Sequence, residues 1–114
     1  MTVLGMAFKP GTDDIRESPS ITVTAELLTA GAVVTVFDPI AHHETEKVFG
    51  NRVSYAPSLD AAVKGADALL VMTRWPEFEA LSDLVPAVSP QPVVIDGRRL
   101  LPKAAFTRYE AIGL

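Results

Sequence analysis

Short apolar runs alternate with segments of helical spacing along this chain. The first run, Thr2 to Phe8, is nearly continuous. Such runs suit strands buried on both faces of a parallel sheet. Further strands are predicted at Ala32 to Phe37, Arg52 to Tyr55, Asp67 to Thr73 and Pro92 to Asp96, with a small last one at Tyr109 to Ile112. Arg52 to Tyr55 is short and is expected near a sheet edge. A helix is predicted over Ser20 to Ala30, where Ile21, Ala25 and Leu28 recur at helical spacing. Ser18 suits its cap, Pro19 its first position and Gly31 its stop. Thr22 and Thr24 make it mediocre by propensity, so packing must hold it. Ala41 to Gly50 predicts a polar helix, and Ser58 to Gly65 a short capped one. Pro76 to Val88 is helical but broken by Pro86, and Leu101 to Thr107 predicts a short helix.

Strands alternating with helices imply a parallel sheet covered on both faces. Right-handed crossovers leave few topologies. The expected fold is a three-layer, doubly wound, mostly parallel α/β sheet of five or six strands. Its first and fourth strands are adjacent at the centre. That junction is a topological switch point, where ligands bind beyond the carboxyl ends of the strands.

The stretch Val3 to Ser20 passes from strand through a polar loop to a helix start. A strand, a loop and a helix N-terminus together make a phosphate site. The glycines do not fit the dinucleotide fingerprint: no G-x-G-x-x-G occurs, so the usual NAD site is not predicted. Three central strands deliver cations to one rim. The first ends at Phe8-Lys9, the fourth at Thr73-Arg74 and the fifth at Asp96-Gly97-Arg98-Arg99. Solvated cations flanking strands are the rival reading, and convergence at the switch point favours an anion site.

At 114 residues the chain is one domain, and an apolar fraction of 48% makes it globular. A net charge of −4 argues against general binding to nucleic acid or anionic membrane, so any anion site is local. The absence of cysteine removes disulfides, thiolate metal sites and a thiol nucleophile. No run approaches the ~18 residues of a membrane span, and no signal peptide is visible. The expectation is a cytoplasmic domain, cut from a longer chain.

Other polar residues have plainer readings. Asp13 and Asp14 fit loop carboxylates paired with Arg16 better than an acid/base or metal site. His42 and His43 are adjacent, diverge on a helix and chelate one metal poorly. Trp75 and Phe78 read as packing, with stacking on a base as the alternative. Asp38 follows the second strand as a ribose-binding acid would. Without the fingerprint it reads as a turn residue.

The run GMAFKPGTDDIRESPS, Gly5 to Ser20, resembles the opening of the C-terminal domain of the UDP-glucose/GDP-mannose dehydrogenase family. GAVVTVFDP (Gly31 to Pro39), MTRWPEF (Met72 to Phe78) and IDGRRL (Ile95 to Leu100) follow in the family's order. The resemblance covers nearly the whole chain. It implies residues 1–114 are the nucleotide-sugar-binding domain of a longer NAD-dependent dehydrogenase, which oxidises the C6 alcohol of a UDP-sugar to a carboxylate. Phe8, Lys9 and Arg98 would contact the nucleotide sugar, and Arg16 would face the NAD. An ion pair of Arg16 with Asp13, Asp14 or Glu17 is its alternative. The family often has asparagine after the matching arginine, and here Arg99 stands there, leaving open which arginine points inward. NAD would be bound mainly by a preceding N-terminal domain, which would also carry the catalytic cysteine, and the parent would be a homo-oligomer. This chain alone would be inactive, with no catalytic residue, metal, nucleic acid or membrane partner of its own. The sugar stays open between UDP-glucose, UDP-N-acetylmannosamine and GDP-mannose. A receiver-like signalling module is disfavoured because the third strand ends Ser54-Tyr55-Ala56-Pro57, with no phosphate-accepting aspartate. An interaction domain with a vestigial site is the remaining alternative.

Overall fold

A computed structural model of the chain describes residues 1–7, 18–73, 75–89, 91–97, 101, 106 and 108–111. The elements run β1 (Thr2–Leu4), α1 (Pro19–Thr29), β2 (Thr35–Phe37), α2 (His42–Phe49), β3 (Ser54–Tyr55), α3 (Leu59–Val63), β4 (Ala68–Val71), α4 (Leu81–Leu84), β5 (Val93–Asp96) and β6 (Tyr109–Ala111). Two 3₁₀ turns join them, Gly50–Arg52 after α2 and Pro76–Ala80 before α4. The six strands form one sheet in the order β3-β2-β1-β4-β5-β6, and every pairing is parallel. The doubly wound expectation holds. β1 and β4 are neighbours, β3 is an edge, and the strand order reverses between β1 and β4.

The strands are shorter than the apolar runs that predict them. β1 stops at Leu4 rather than Phe8, because Gly5 takes a φ of 93° and turns the chain out of the ladder. β2 begins at Thr35 rather than Ala32, and exposed Val33 lies outside it. The helix expected over Pro76 to Val88 is a 3₁₀ turn and one α turn ending at Leu84. Val85 still has helical backbone, but Pro86 has no N–H to continue the ladder, so α4 ends there. The helix expected over Leu101 to Thr107 falls largely outside the described residues.

Local signals place the helix starts as expected. Ser18 caps α1, its hydroxyl accepting from the Ser20 amide at 3.3 Å, with Pro19 in the first turn. Ser58 caps α3, accepting from the Ala61 amide at 3.1 Å. The core splits into two clusters on opposite sheet faces. One joins Leu4, Leu69, Val71 and Val94 to Val63, Trp75, Phe78, Leu81 and Val85 beneath α3 and α4. The other joins Val3, Val34 and Val36 to Ala41, Phe49 and the inner side of α1. Burial of these apolar surfaces, at roughly 25 cal/mol per Å², is what holds short and mediocre elements in place.

The inner side of α1 carries one polar defect. Thr24 is fully buried, and its hydroxyl has no hydrogen-bond partner among the described residues. A buried unpaired hydroxyl costs about 1–3 kcal/mol, and valine has the same shape without it. Thr24→Val is therefore expected to stabilise the chain by about 1 kcal/mol. Urea unfolding checks this: a raised midpoint at constant slope is the expected result, and a lowered midpoint contradicts it.

Candidate functional site

The pairing register sets the carboxyl rim. Leu4 lies level with Val71, and Val71 level with Asp96. The ladder runs one step further, with the Met72 amide donating to the Leu4 carbonyl at 2.9 Å and Gly97 to Val71 at 2.8 Å. The exits of β1, β4 and β5 therefore stand side by side. At ~4.8 Å between neighbouring strands they span ~10 Å. Gly97 lets the backbones close up there, since a Cβ would meet the Val71 carbonyl at 3.0 Å.

Asp38, at the end of β2, ties this rim together. Oδ1 accepts from the Ile40 and Ala41 amides at 2.8 and 2.7 Å. That closes the turn into α2, as the sequence leads one to expect. Oδ2 reaches across to β1's exit and accepts from the Met6 amide at 2.8 Å and the Ala7 amide at 3.0 Å. It also accepts from Trp75 Nε1, beyond β4, at 3.3 Å. Asp38 is thus more than a turn residue. Its contacts to Met6, Ala7 and Trp75 span more than thirty residues and left no local signature. In a dinucleotide fold an acid here would take ribose hydroxyls. Here both oxygens are occupied by protein N–H groups and the residue is buried, so the chain does not fit NAD at this position.

Two hydroxyls complete the brace. Thr73 Oγ1 donates to the Ala7 carbonyl at 2.9 Å, and Ser20 Oγ donates to the Gly5 carbonyl at 2.7 Å. The chain thus departs at Ala7 and returns at Ser18 from fixed points. Asp96 plays the matching part at the next exit. Its Oδ2 accepts from the Leu101 amide at 2.8 Å and the Tyr109 hydroxyl at 2.9 Å. Those bonds fix where the chain re-enters after Gly97.

Phe8, Lys9, Arg16, Arg74, Arg98 and Arg99 all lie outside the described residues, as do Asp13 and Asp14. The structure places their anchor points instead. Ala7 precedes Phe8-Lys9, Thr73 and Trp75 flank Arg74, and Gly97 precedes Arg98. These anchors share one rim. Trp75 and Phe78 are buried in the core, so packing is their role. His42 and His43 are exposed, and the His42 ring stacks on Tyr55 with centroids 4.7 Å apart. No group of three potential metal ligands occurs among the described residues. Burial pushes the Tyr55 phenol up, with Glu46 adding to the rise and Arg52 opposing it. The protonated hydroxyl donates to the Gly50 carbonyl at 2.7 Å and braces the end of α2.

An open cleft of about 310 Å³ lies at the opposite, amino ends of the strands, lined by Met1, Thr2, Thr35, Lys64 and Asp67. Its lysine is already matched, with Lys64 meeting Asp60 at 3.5 Å. This end offers an anion no free cation among its lining residues, and the carboxyl rim is the candidate site.

The chain matches the UDP-glucose/GDP-mannose dehydrogenase family, UDP binding domain, over residues 2–103. It is 45% identical over 112 residues to UDP-glucose 6-dehydrogenase AglM of Haloferax volcanii, covering 98% of this chain and 26% of that protein. A solved UDP-glucose dehydrogenase from Pyrobaculum islandicum superposes with a TM-score of 0.84 at 37% identity, over 96% of this chain and 24% of that one. GDP-mannose dehydrogenase from Pseudomonas aeruginosa, solved as a ternary complex, gives 0.75 at 26% identity, over 97% and 27%. The chain spans about a quarter of the length of the relatives it matches.

The rim depends on glycine at its innermost position. A Cβ on Gly5 would lie 2.5 Å from Thr73 Oγ1 and 2.9 Å from the Thr73 amide nitrogen, on a backbone that side chains rarely adopt. Gly5→Ala is expected to cost at least about 2 kcal/mol, from backbone strain and the collision together. Thermal unfolding checks it, and a melting temperature equal to that of the unaltered chain contradicts it.

Proposed function

The chain belongs to the UDP-glucose/GDP-mannose dehydrogenase family as its C-terminal UDP-binding domain, and from that premise we propose that it holds the UDP-sugar of a longer, NAD-dependent UDP-sugar 6-dehydrogenase. One observation carries the reading: the exits of β1, β4 and β5 are level and braced, and Lys9, Arg74 and Arg98 follow within five residues of the strand ends. In this reading Lys9 and Arg98 meet the diphosphate from two sides, and Phe8 contributes mainly backbone. A charge-assisted contact of this kind is worth ~1.5–3 kcal/mol. Identity to UDP-glucose dehydrogenases favours UDP-glucose over the other sugars.

Residues 1–114 make up the binding domain, and the remainder of the parent holds the NAD and the catalytic residues. NAD supplies the hydride acceptor for both steps from alcohol to carboxylate. This chain binds and orients the substrate, and Arg16 extends toward the cofactor across the domain boundary. With no cysteine it is inactive alone. A cytoplasmic, homo-oligomeric parent completes the reading. No helix among the described residues is long and apolar enough to cross a membrane.

Titrating the chain with UDP tests the site. Binding is expected on the order of 0.1–1 mM, or ~4–5.5 kcal/mol, weakening with added salt. Lys9→Ala and Arg98→Ala are each expected to cost ~1.5–3 kcal/mol in the full-length protein and to bring binding by this chain below detection. UDP affinity untouched by both changes contradicts the assignment.

Arg16 calls for kinetics on the full-length protein. Arg16→Ala is expected to raise KM for NAD more than KM for the nucleotide sugar. An unchanged KM for NAD with a lowered melting temperature would assign Arg16 to an ion pair with Asp13, Asp14 or Glu17 instead.

A further inference from the structure

Asp38 presents an electrostatic puzzle. It is a buried carboxylate in the rim proposed to receive a diphosphate, where a negative charge opposes the ligand. A neutral residue would avoid that cost if stability of the turn were the only requirement. The hydrogen bonds explain why a carboxylate is needed. Five N–H groups converge on its two oxygens, two on Oδ1 and three on Oδ2. An ionised carboxylate accepts on both oxygens, whereas asparagine would turn an NH₂ group toward one set of donors. That set would be left buried and unpaired.

The three donors on Oδ2 come from two different strand exits. Met6 and Ala7 immediately precede Phe8-Lys9, and Trp75 immediately follows Arg74. Thr73 Oγ1 closes the same bridge from the other side of Arg74, on the Ala7 carbonyl. We propose that Asp38 is a positioning residue for nucleotide binding: through Met6, Ala7 and Trp75 it locks the exits of β1 and β4 to one another, and with them the points from which Lys9 and Arg74 follow in the chain. The proposal rests on the reading that this rim binds UDP. Its physical content is preorganisation. Strand exits fixed before binding have less conformational freedom to lose when the ligand arrives.

Trp75→Phe removes one donor from Oδ2 and keeps an aromatic ring in the core. Asp38→Asn reverses one side of the carboxylate. Steady-state kinetics and melting temperatures of the full-length protein carrying each change test the proposal, with UDP binding by the unaltered protein as control. Trp75→Phe is expected to raise KM for the nucleotide sugar by about threefold to tenfold. Its kcat and KM for NAD should stay within about twofold. Asp38→Asn is expected to raise the same KM further, and if it fails to fold, Trp75→Phe decides. A merely structural role would lower the melting temperature or kcat and leave the KM for the nucleotide sugar unchanged, and that result overturns the proposal. Failure of the unaltered protein to bind UDP would overturn the underlying reading, and the positioning role with it.

Discussion

A carboxylate that can only accept hydrogen bonds sits where three strand exits meet, and the architecture of the rim follows from satisfying it. Asp38 leaves β2, closes its own turn through Ile40 and Ala41, and reaches Met6 and Ala7 beyond β1 and Trp75 beyond β4. The bonds from Met6, Ala7, Ala41 and Trp75 are buried, and those donors would otherwise be left without water. The cost of burying the charge and the cost of burying the amides therefore offset one another. Removing the carboxylate would leave the buried amides without a partner. The two core clusters lie on opposite faces of the sheet and would hold its layers together without Asp38. What they do not determine is how the loops at the carboxyl ends are arranged.

Stability and the proposed site thus occupy different parts of the sheet. The apolar strands and the inner sides of the helices supply burial. The rim is built from polar bonds between backbone and a few side chains: Asp38, Thr73, Ser20 and Asp96. Asp96 repeats the logic of Asp38 three strands along, holding Leu101 and Tyr109 while Gly97 bonds back to Val71. In each case a strand-terminal aspartate binds protein donors beside a segment whose cations are assigned to the ligand. That arrangement suits an acidic chain that must nevertheless hold an anion.

Much of this was legible in the amino-acid sequence because it is local. The Ser18-Pro19 helix start, the Ser58 cap and the central place of the first and fourth strands follow from short-range patterns and handedness. The strand ends were less legible. Phe8 continues the apolar run of β1, but Gly5 has already turned the chain. The stretch after Pro76 has helical composition, yet proline at both ends leaves only a 3₁₀ turn and one α turn. The role of Asp38 was legible only in part. Its bonds to Ile40 and Ala41 follow from turn chemistry, but those to Met6 and Ala7 go to backbone amides, which no residue type announces. The resemblance of Gly5 to Ser20 and of Ile95 to Leu100 to one family supplied the candidate ligand residues, whose anchors the fold brings to one rim.

The central proposal is that the nucleotide binds at the carboxyl rim over the junction of β1 and β4. A crystal structure of the protein with UDP tests it most directly. The diphosphate is expected over the exits of β1, β4 and β5, within hydrogen-bonding distance of Lys9 and Arg98, with Met6, Ala7 and Trp75 still bonded to Asp38. A diphosphate bound in the cleft beside Lys64 and Asp67, or over the turn from Asp38 to His43, would contradict it.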